Sequence, residues 1–319
     1  MAPEGHVLVV GDLSQIEPRV LAWLADYEDL LAIFASGQDA YAQFGAQMFD
    51  VPGMTKESHP DLRQAAKSAL LGCGYGLGWA SFAAQLLVGF QGAKPVLYSK
   101  DFCKRLGVTA QMAEKFLDWD VNIEKMDAIA RNCTDTELVF HCLAAKAIID
   151  KYRSLATPIV EFWDTMTDLI ETSLYNGKLI KYKCLTFRKE QIVLPSGMAM
   201  NYPNLRFEVD PKTGRKQWMY DGFKNGRPVV IKLYGGKVTN NVTQGSARCV
   251  MTDGMLRVNK RYPVKGTVHD EQIPVAPEAE GASALKWVIA EMIKEPPYMP
   301  GIPLAAEGGF NRRYGLAKT

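Results

Sequence analysis

Residues Gly266–Val275 read GTVHDEQIPV. The β-favouring side chains on either side of His269-Asp270-Glu271 predict two short strands meeting at a turn. Asp270 and Glu271 then lie side by side in the middle of a hairpin. Neighbouring carboxylates repel, so the pair needs a cation or another partner to offset it. A second acid has a comparable setting: HVLVVGD, His6–Asp12, is an apolar strand pattern ending in Asp12. Alone, each acid also fits an ordinary strand end or a solvated turn. If the two strands are neighbours, Asp12 and Asp270 converge. Two such carboxylates can hold a pair of Mg²⁺ ions about 3.5–4 Å apart, an arrangement suited to in-line phosphoryl transfer. Successive strand residues face opposite ways, so Asp270 is expected to face Asp12, with Glu271 shaping the site from beside it.

The stretch between these acids bounds the fold. EPRVLAWLADYEDLLAIFASG has helical periodicity up to Gly37, DLRQAAKSALLGCGYG is a second helix, and residues 80–166 are mostly helical, with turns near Gly92–Pro95 and Asn132–Asp135. ATPIVEFWDTMTDLIETSLYNGK reads as a helix ending at Asn176-Gly177. Short strands joined by Gly, Pro and Asn turns follow, then the helix NNVTQGSARCVMTDGMLRVNKRY. Acid-bearing strands at both ends around a helical middle predict a discontinuous α+β domain with a helical insertion.

Composition narrows the function classes. The chain has 319 residues, 47% hydrophobic and 23% charged, with a net charge of +2 that neither demands nor excludes a nucleic-acid partner. Six cysteines without a CxxC pair, and only four histidines, argue against a zinc site and suit reduced thiols in a cytoplasm. No run of about 20 apolar residues is available to span a membrane.

Arg63, Lys67, Leu71 and Tyr75 recur every four residues and share one helix face. Two cations, an aliphatic and an aromatic on one stripe suit a nucleoside triphosphate, with phosphates at the cations and sugar and base beyond them. A solvated basic turn running into a packed aromatic is the plainer reading of the same residues. Gly72, Gly74, Gly76 and Gly78 end this helix rather than open one, so they are no dinucleotide loop. Asn240, Gln244 and Arg248 form a polar stripe that can meet base edges or phosphates, or simply face water.

In this order the motifs resemble the polymerase module of family A DNA polymerases. GDLSQIEPRVLAWLAD resembles that family's motif A, RQAAKSALLGCGYG its motif B and GTVHDEQIPVAP its motif C; YGGKVTNNVTQGSARCVM and GIPLAAEGGFNRRYG resemble further segments, in phage-type members above all. The resemblance implies template-directed DNA synthesis with Mg²⁺ (or Mn²⁺), template–primer DNA and dNTPs, in a bacterial or phage-infected cytoplasm. It implies Asp12 and Asp270 as metal-binding carboxylates and Glu271 as an accessory acid. Arg63, Lys67, Leu71 and Tyr75 would meet the nucleotide, with Glu17, Gln15 and Tyr41 near it. Asn240, Gln244 and His269 would lie near the template–primer. It further implies a palm of antiparallel strands from residues 1–38 and 227–319, and fingers from 39–226, with a motif B helix at about 60–76 and a β-rich join at about 178–226.

Three positions depart from the family pattern. Leu71 stands where Phe or Tyr is commoner, Tyr41 where many members have His, and Met198 where Arg is frequent. Motif A also begins close to the first residue, so thumb and exonuclease segments are expected to be absent. A separate polypeptide would then supply the thumb and first palm strands. The alternative is a weak or inactive nucleic-acid-binding remnant of a truncated or split polymerase.

Overall fold

The computed structural model describes residues 1–89, 94–129, 132–209, 214 and 216–317. The chain forms two compact units. One comprises Met1–Ser36 with Asp164–Thr319, the other Gly37–Trp163. The expected turn near Gly92–Pro95 falls partly outside the described residues.

The first unit begins with β1 (His6–Leu13), α1 (Ile16–Leu24) and α2 (Glu28–Ala35). The sequence reading runs one helical pattern to Gly37; instead it breaks at Asp26, which takes a positive φ of 53°. Leu30 and Phe34 of α2 are buried. The second unit contains α3 (Ala40–Phe49), α4 (Pro60–Gly72), α5 (Trp79–Val88), α6 (Lys100–Arg105), α7 (Ala110–Leu117), α8 (Asp120–Asp127) and α9 (Asp135–Leu155). Its core gathers around α9, where Leu138, Cys142, Ala145, Ile148 and Tyr152 are buried. Thr134 and Glu137 close a capping box at its start, satisfying N–H groups that a helix start leaves open. The boundary between units falls within α10 (Thr157–Leu169), which continues in π-helical turns to Tyr175 before Gly177 takes a φ of 82°.

Back in the first unit, β2 (Ile180–Tyr182), β3 (Leu185–Arg188), β4 (Gln191–Val193) and β5 (Ala199–Asn201) form an antiparallel meander. A second meander comprises β6 (Arg206–Val209), β7 (Lys216–Lys224) and β8 (Arg227–Leu233). Then come α11 (Gly235–Asn259), β9 (Val264–Val268), β10 (Glu271–Pro277), α12 (Gly281–Met292), β11 (Ala306–Asn311) and α13 (Tyr314–Ala317). The β-rich region lies in the same compact unit as β1 and β10, whereas the sequence reading joins it to the helical insertion.

The site rests on the antiparallel sheet β11-β1-β10-β9. Its central strand β1 is covered by α12, and Val7–Val10 are buried, which explains an apolar run with no alternation. β11 approaches β1 so closely that a Cβ on Gly308 would meet the Val10 carbonyl oxygen at 1.9 Å. Pro274 sits inside β10, where it cannot donate to a ladder; the β10–β9 register shifts between Ile273 and Pro274, the bulge such a residue needs. The expected α+β fold, with antiparallel sheets and a helical insertion, is the fold observed.

Candidate active site

The GTVHDEQIPV stretch is the β9–β10 hairpin. Val268 pairs with Glu271, leaving His269 and Asp270 as the two-residue turn. His269 opens it with a φ of 51°, the left-handed conformation that two-residue hairpins demand at this position. On the other side of β10, Asp12 pairs with Glu271, and the Leu13 N–H donates to the Asp270 carbonyl at 3.4 Å. Asp12, Asp270 and Glu271 therefore gather at one end of two adjacent strands.

The register refines the expected roles. Directly opposed residues share a sheet face, so the cross-strand neighbour of Asp12 is Glu271. Asp270 lies one position further on, in the turn, where strand alternation no longer applies. Glu271 is buried, and Tyr314 of α13 donates its hydroxyl to Glu271 Oε2. Asp270 is half-buried. Desolvation pushes its carboxyl above the usual range and the Glu271 charge adds to this, while His269 and Arg248 work the other way. Two crowded acids with charge disfavoured by burial form a hard oxygen donor set suited to Mg²⁺. Among the described residues no three His, Cys, Asp or Glu side chains form a metal cage. Mg²⁺ needs none, because it characteristically takes one or two carboxylates and completes its shell with water and substrate phosphates.

Beside β1, Gln15 precedes α1 with a φ of 48°, and Glu17 lies half-buried in the first turn. The turn is held by buried Arg19, which donates to Ser14 O at 2.8 Å, Pro303 O at 2.6 Å and Gln15 Oε1 at 3.4 Å. Its guanidinium lies 4.5 Å from the centre of the Phe34 ring. On α11, Gln244 and Arg248 are exposed and Asn240 is half-buried, while Val238, Val242 and Ala247 face the core. The expected polar stripe is thus accessible, and Arg248 is near enough to Asp270 to favour its ionised form.

In the second unit, Arg63, Lys67, Leu71 and Tyr75 are each half-exposed, whereas Leu62, Ala65, Ala66, Ala69 and Leu70 are buried. The four form one accessible stripe, as their spacing implies. α4 tightens into a 3₁₀ turn over Cys73–Tyr75, and Gly76 then takes a φ of 75°. Trp163 Nε1 donates to the Gly74 carbonyl at 2.7 Å, and Arg153 to that of Leu77 at 3.1 Å, so the glycine-rich end is hydrogen-bonded rather than loose. Burial pushes the Cys73 thiol up to about 12, which leaves no reactive thiolate there.

Tyr41 joins this cluster. The Arg63 guanidinium and the Lys67 ammonium lie 5.4 Å and 5.5 Å from its ring centre, within reach of the electron-rich face. Asp39 holds the arrangement together. Its carboxylate caps α3 by accepting the N–H groups of Tyr41 and Ala42, and accepts from Arg63 Nε at 2.5 Å. Partial burial works to raise its carboxyl pKa, but Arg63 and the two N–H groups outweigh this and hold it below the usual range. Sequence reasoning missed Asp39, Tyr314 and Arg19. Only Asp39 carried a readable signal, an acid placed to cap a helix.

Comparisons with known proteins agree with the motif order. The family model described as DNA polymerase family A matches residues 1–120. The DNA polymerase of Bacillus phage SP02 is 28% identical over 312 residues, covering 96% of this chain and 40% of that protein. The thermostable DNA polymerase I of Thermus thermophilus is 39% identical over 94 residues, 29% of this chain and 11% of that protein. Among solved structures, the POL domain of Pol1 from M. smegmatis, in complex with DNA primer-template and dNTP, superposes with a TM-score of 0.59 at 18% identity. That match covers 99% of this chain and 41% of the other. The chain thus spans about 40% of the length of its phage relative. Among the described residues no helix is long and apolar enough to cross a membrane. With motifs A, B and C colinear on this α+β fold, the chain belongs to DNA polymerase family A.

Proposed function

We propose that the chain carries the nucleotidyl-transfer centre of a phage-type DNA polymerase, adding dNTPs to a primer 3′-hydroxyl. In this reading the unit containing β1 and the β9–β10 hairpin is the palm, and the unit containing α4 is the fingers. The observation that carries the reading is the register placing Asp12 beside the Asp270–Glu271 turn.

Asp12 and Asp270 would hold Mg²⁺. When bound, the metal ions would favour the ionised primer hydroxyl and neutralise charge on the transferred and leaving phosphates. Glu271, fixed by Tyr314, sets the negative potential beside Asp12. Arg63 and Lys67 neutralise the triphosphate, and Asp39 keeps Arg63 extended along the stripe. Leu71 and Tyr75 offer the apolar surface for sugar and base, and Tyr41 a hydroxyl donor. Gln15 and Glu17 act on the sugar side. Asn240, Gln244 and His269 contact the template–primer, which supplies sequence by base pairing. A thumb carried by a separate polypeptide would strengthen duplex binding without altering these roles.

The test is templated primer extension by the purified chain, alone and with an upstream thumb-bearing polypeptide. Asp12→Ala and Asp270→Ala should each abolish extension while circular dichroism and melting stay native. Extension that survives either substitution refutes the assignment.

A further inference from the structure

A second surface lies on the other unit, away from the α4 stripe in sequence. Val108, Met112, Phe116 and Trp119 follow spacings of four, four and three, so they line one side of α7 and its end. Across from them, Leu143 and Ala147 lie one turn apart on α9, and these six side chains wall a groove of about 410 Å³. Met112 is 48% and Trp119 62% exposed, and Leu117, Val121 and Ile123 extend the apolar surface over α8. Isolated exposed apolar residues need no explanation, but a contiguous patch with a groove marks an interaction site. An elongated groove between two helices is the shape that receives the apolar face of a third helix.

The charges around the groove select the occupant. Between Ala110 and Asp127, exposed Glu114, Asp118, Asp120, Glu124 and Asp127 face only Lys115 and Lys125. On α8, Asp120, Glu124 and Asp127 recur at the spacing of one helix face. At the α9 edge, Lys146 is paired with Asp150 at 2.6 Å, so that lysine adds no net cation. Nucleic acid or an anionic membrane surface would meet this acid excess unfavourably, and a second copy would bring the same excess.

We propose that the α7–α9 groove docks a basic amphipathic α-helix of a partner protein. Its apolar face would cover Met112 and Trp119, and its Lys or Arg stripe would meet the acids of α8. The site is independent of the polymerase reading, since none of its residues belongs to that machinery.

The probe is a synthetic helical peptide with leucine on one face and lysine on the other, labelled and titrated with the full chain by fluorescence anisotropy. Wild type should bind it, and raising ionic strength from about 0.1 M to about 1 M should weaken binding by shortening the Debye length. Trp119→Ser should weaken binding about tenfold or more, as loss of a central aromatic anchor does. Asp120→Asn with Glu124→Gln should weaken it too, while a leucine–glutamate peptide of the same pattern should not bind. All three positions are exposed, so melting curves should match wild type. The proposal is overturned by absence of binding, by equal binding of the leucine–glutamate peptide, or by binding indifferent to both variants. It is also overturned if wild type sediments as a dimer that Trp119→Ser dissolves, because the face then belongs to a second copy.

Discussion

Asp39 performs two tasks that a pair of substitutions can separate. One carboxylate oxygen accepts the N–H groups of Tyr41 and Ala42, at 3.1 and 3.2 Å, and the other accepts from Arg63 at 2.5 Å. Removing such a cap costs about 0.5–2 kcal/mol. The ion pair adds less: the Asp39 side chain is 37% exposed, so solvent screens it, and about 0.2–1 kcal/mol is its share. Asp39→Ala loses both, about 1–3 kcal/mol, which at about 2–4 °C per kcal/mol lowers the melting temperature by a few degrees or more. Asp39→Asn keeps the cap, since asparagine caps as well as aspartate, and loses only the smaller share. Both variants release Arg63, so both should raise the dNTP KM by about 3–10-fold with a smaller change in kcat, the pattern of lost ground-state binding.

The pH dependence has a fixed sign. The folded carboxyl of Asp39 titrates below its unfolded value of about 3.9, so its contribution is complete well above that value and disappears as pH falls through the folded one. Asp39→Asn has no such titration, and its melting curve should converge on wild type in acid. The assays are thermal unfolding followed by circular dichroism and single-nucleotide incorporation across dNTP concentrations. If Asp39→Asn melts as low as Asp39→Ala, the capping argument fails. An unchanged KM in both variants would show that Arg63 needs no help from Asp39.

Tyr314→Phe removes a donor to the buried Glu271 carboxylate, at a cost of about 1–3 kcal/mol; it should lower kcat while leaving the dNTP KM nearly unchanged, and a KM-only effect would place Glu271 elsewhere in the reaction. His141 is fully buried, its Nδ1 receives the Tyr98 N–H at 3.1 Å and its Nε2 lies 2.9 Å from the Ala83 carbonyl, an arrangement for the neutral ring. Desolvation lowers its pKa, so stability should fall as pH drops below the unfolded value of about 6.5, and His141→Gln should flatten that slope in urea unfolding; equal slopes would contradict the neutral assignment. Gly308→Ala drives a Cβ into the Val10 carbonyl oxygen and should prevent β11 from pairing, read as loss of soluble, cooperatively melting protein; a native melt would mean the strands can separate freely.

What the sequence made legible, and what it hid, follows from the range over which each signal acts. The β1 run, the hairpin and the α4 stripe are local patterns of period two or four, and each sits where its period places it. The break at Asp26 was hidden because apolar spacing continues across it, while a left-handed residue leaves no mark on periodicity. The site divides in the same way. That Asp12, Asp270 and Glu271 lie together was readable from two strands that each end in acid. Which acid opposes which was not, because a hairpin whose turn consumes His269 and Asp270 shifts the pairing by one from simple alternation. The Glu271–Tyr314 link joins residues 43 apart in sequence, and it exists because β11 returns along β1 and carries α13 back to the motif C strand. Asp39 is intermediate: its capping role is local, but its hold on Arg63, 24 residues away, depends on α3 packing against α4. Chemistry is therefore announced locally by residue type, whereas the groups that tune it arrive through tertiary contacts. That is why the substitutions most informative about the mechanism are at Asp39 and Tyr314, positions that no motif contains.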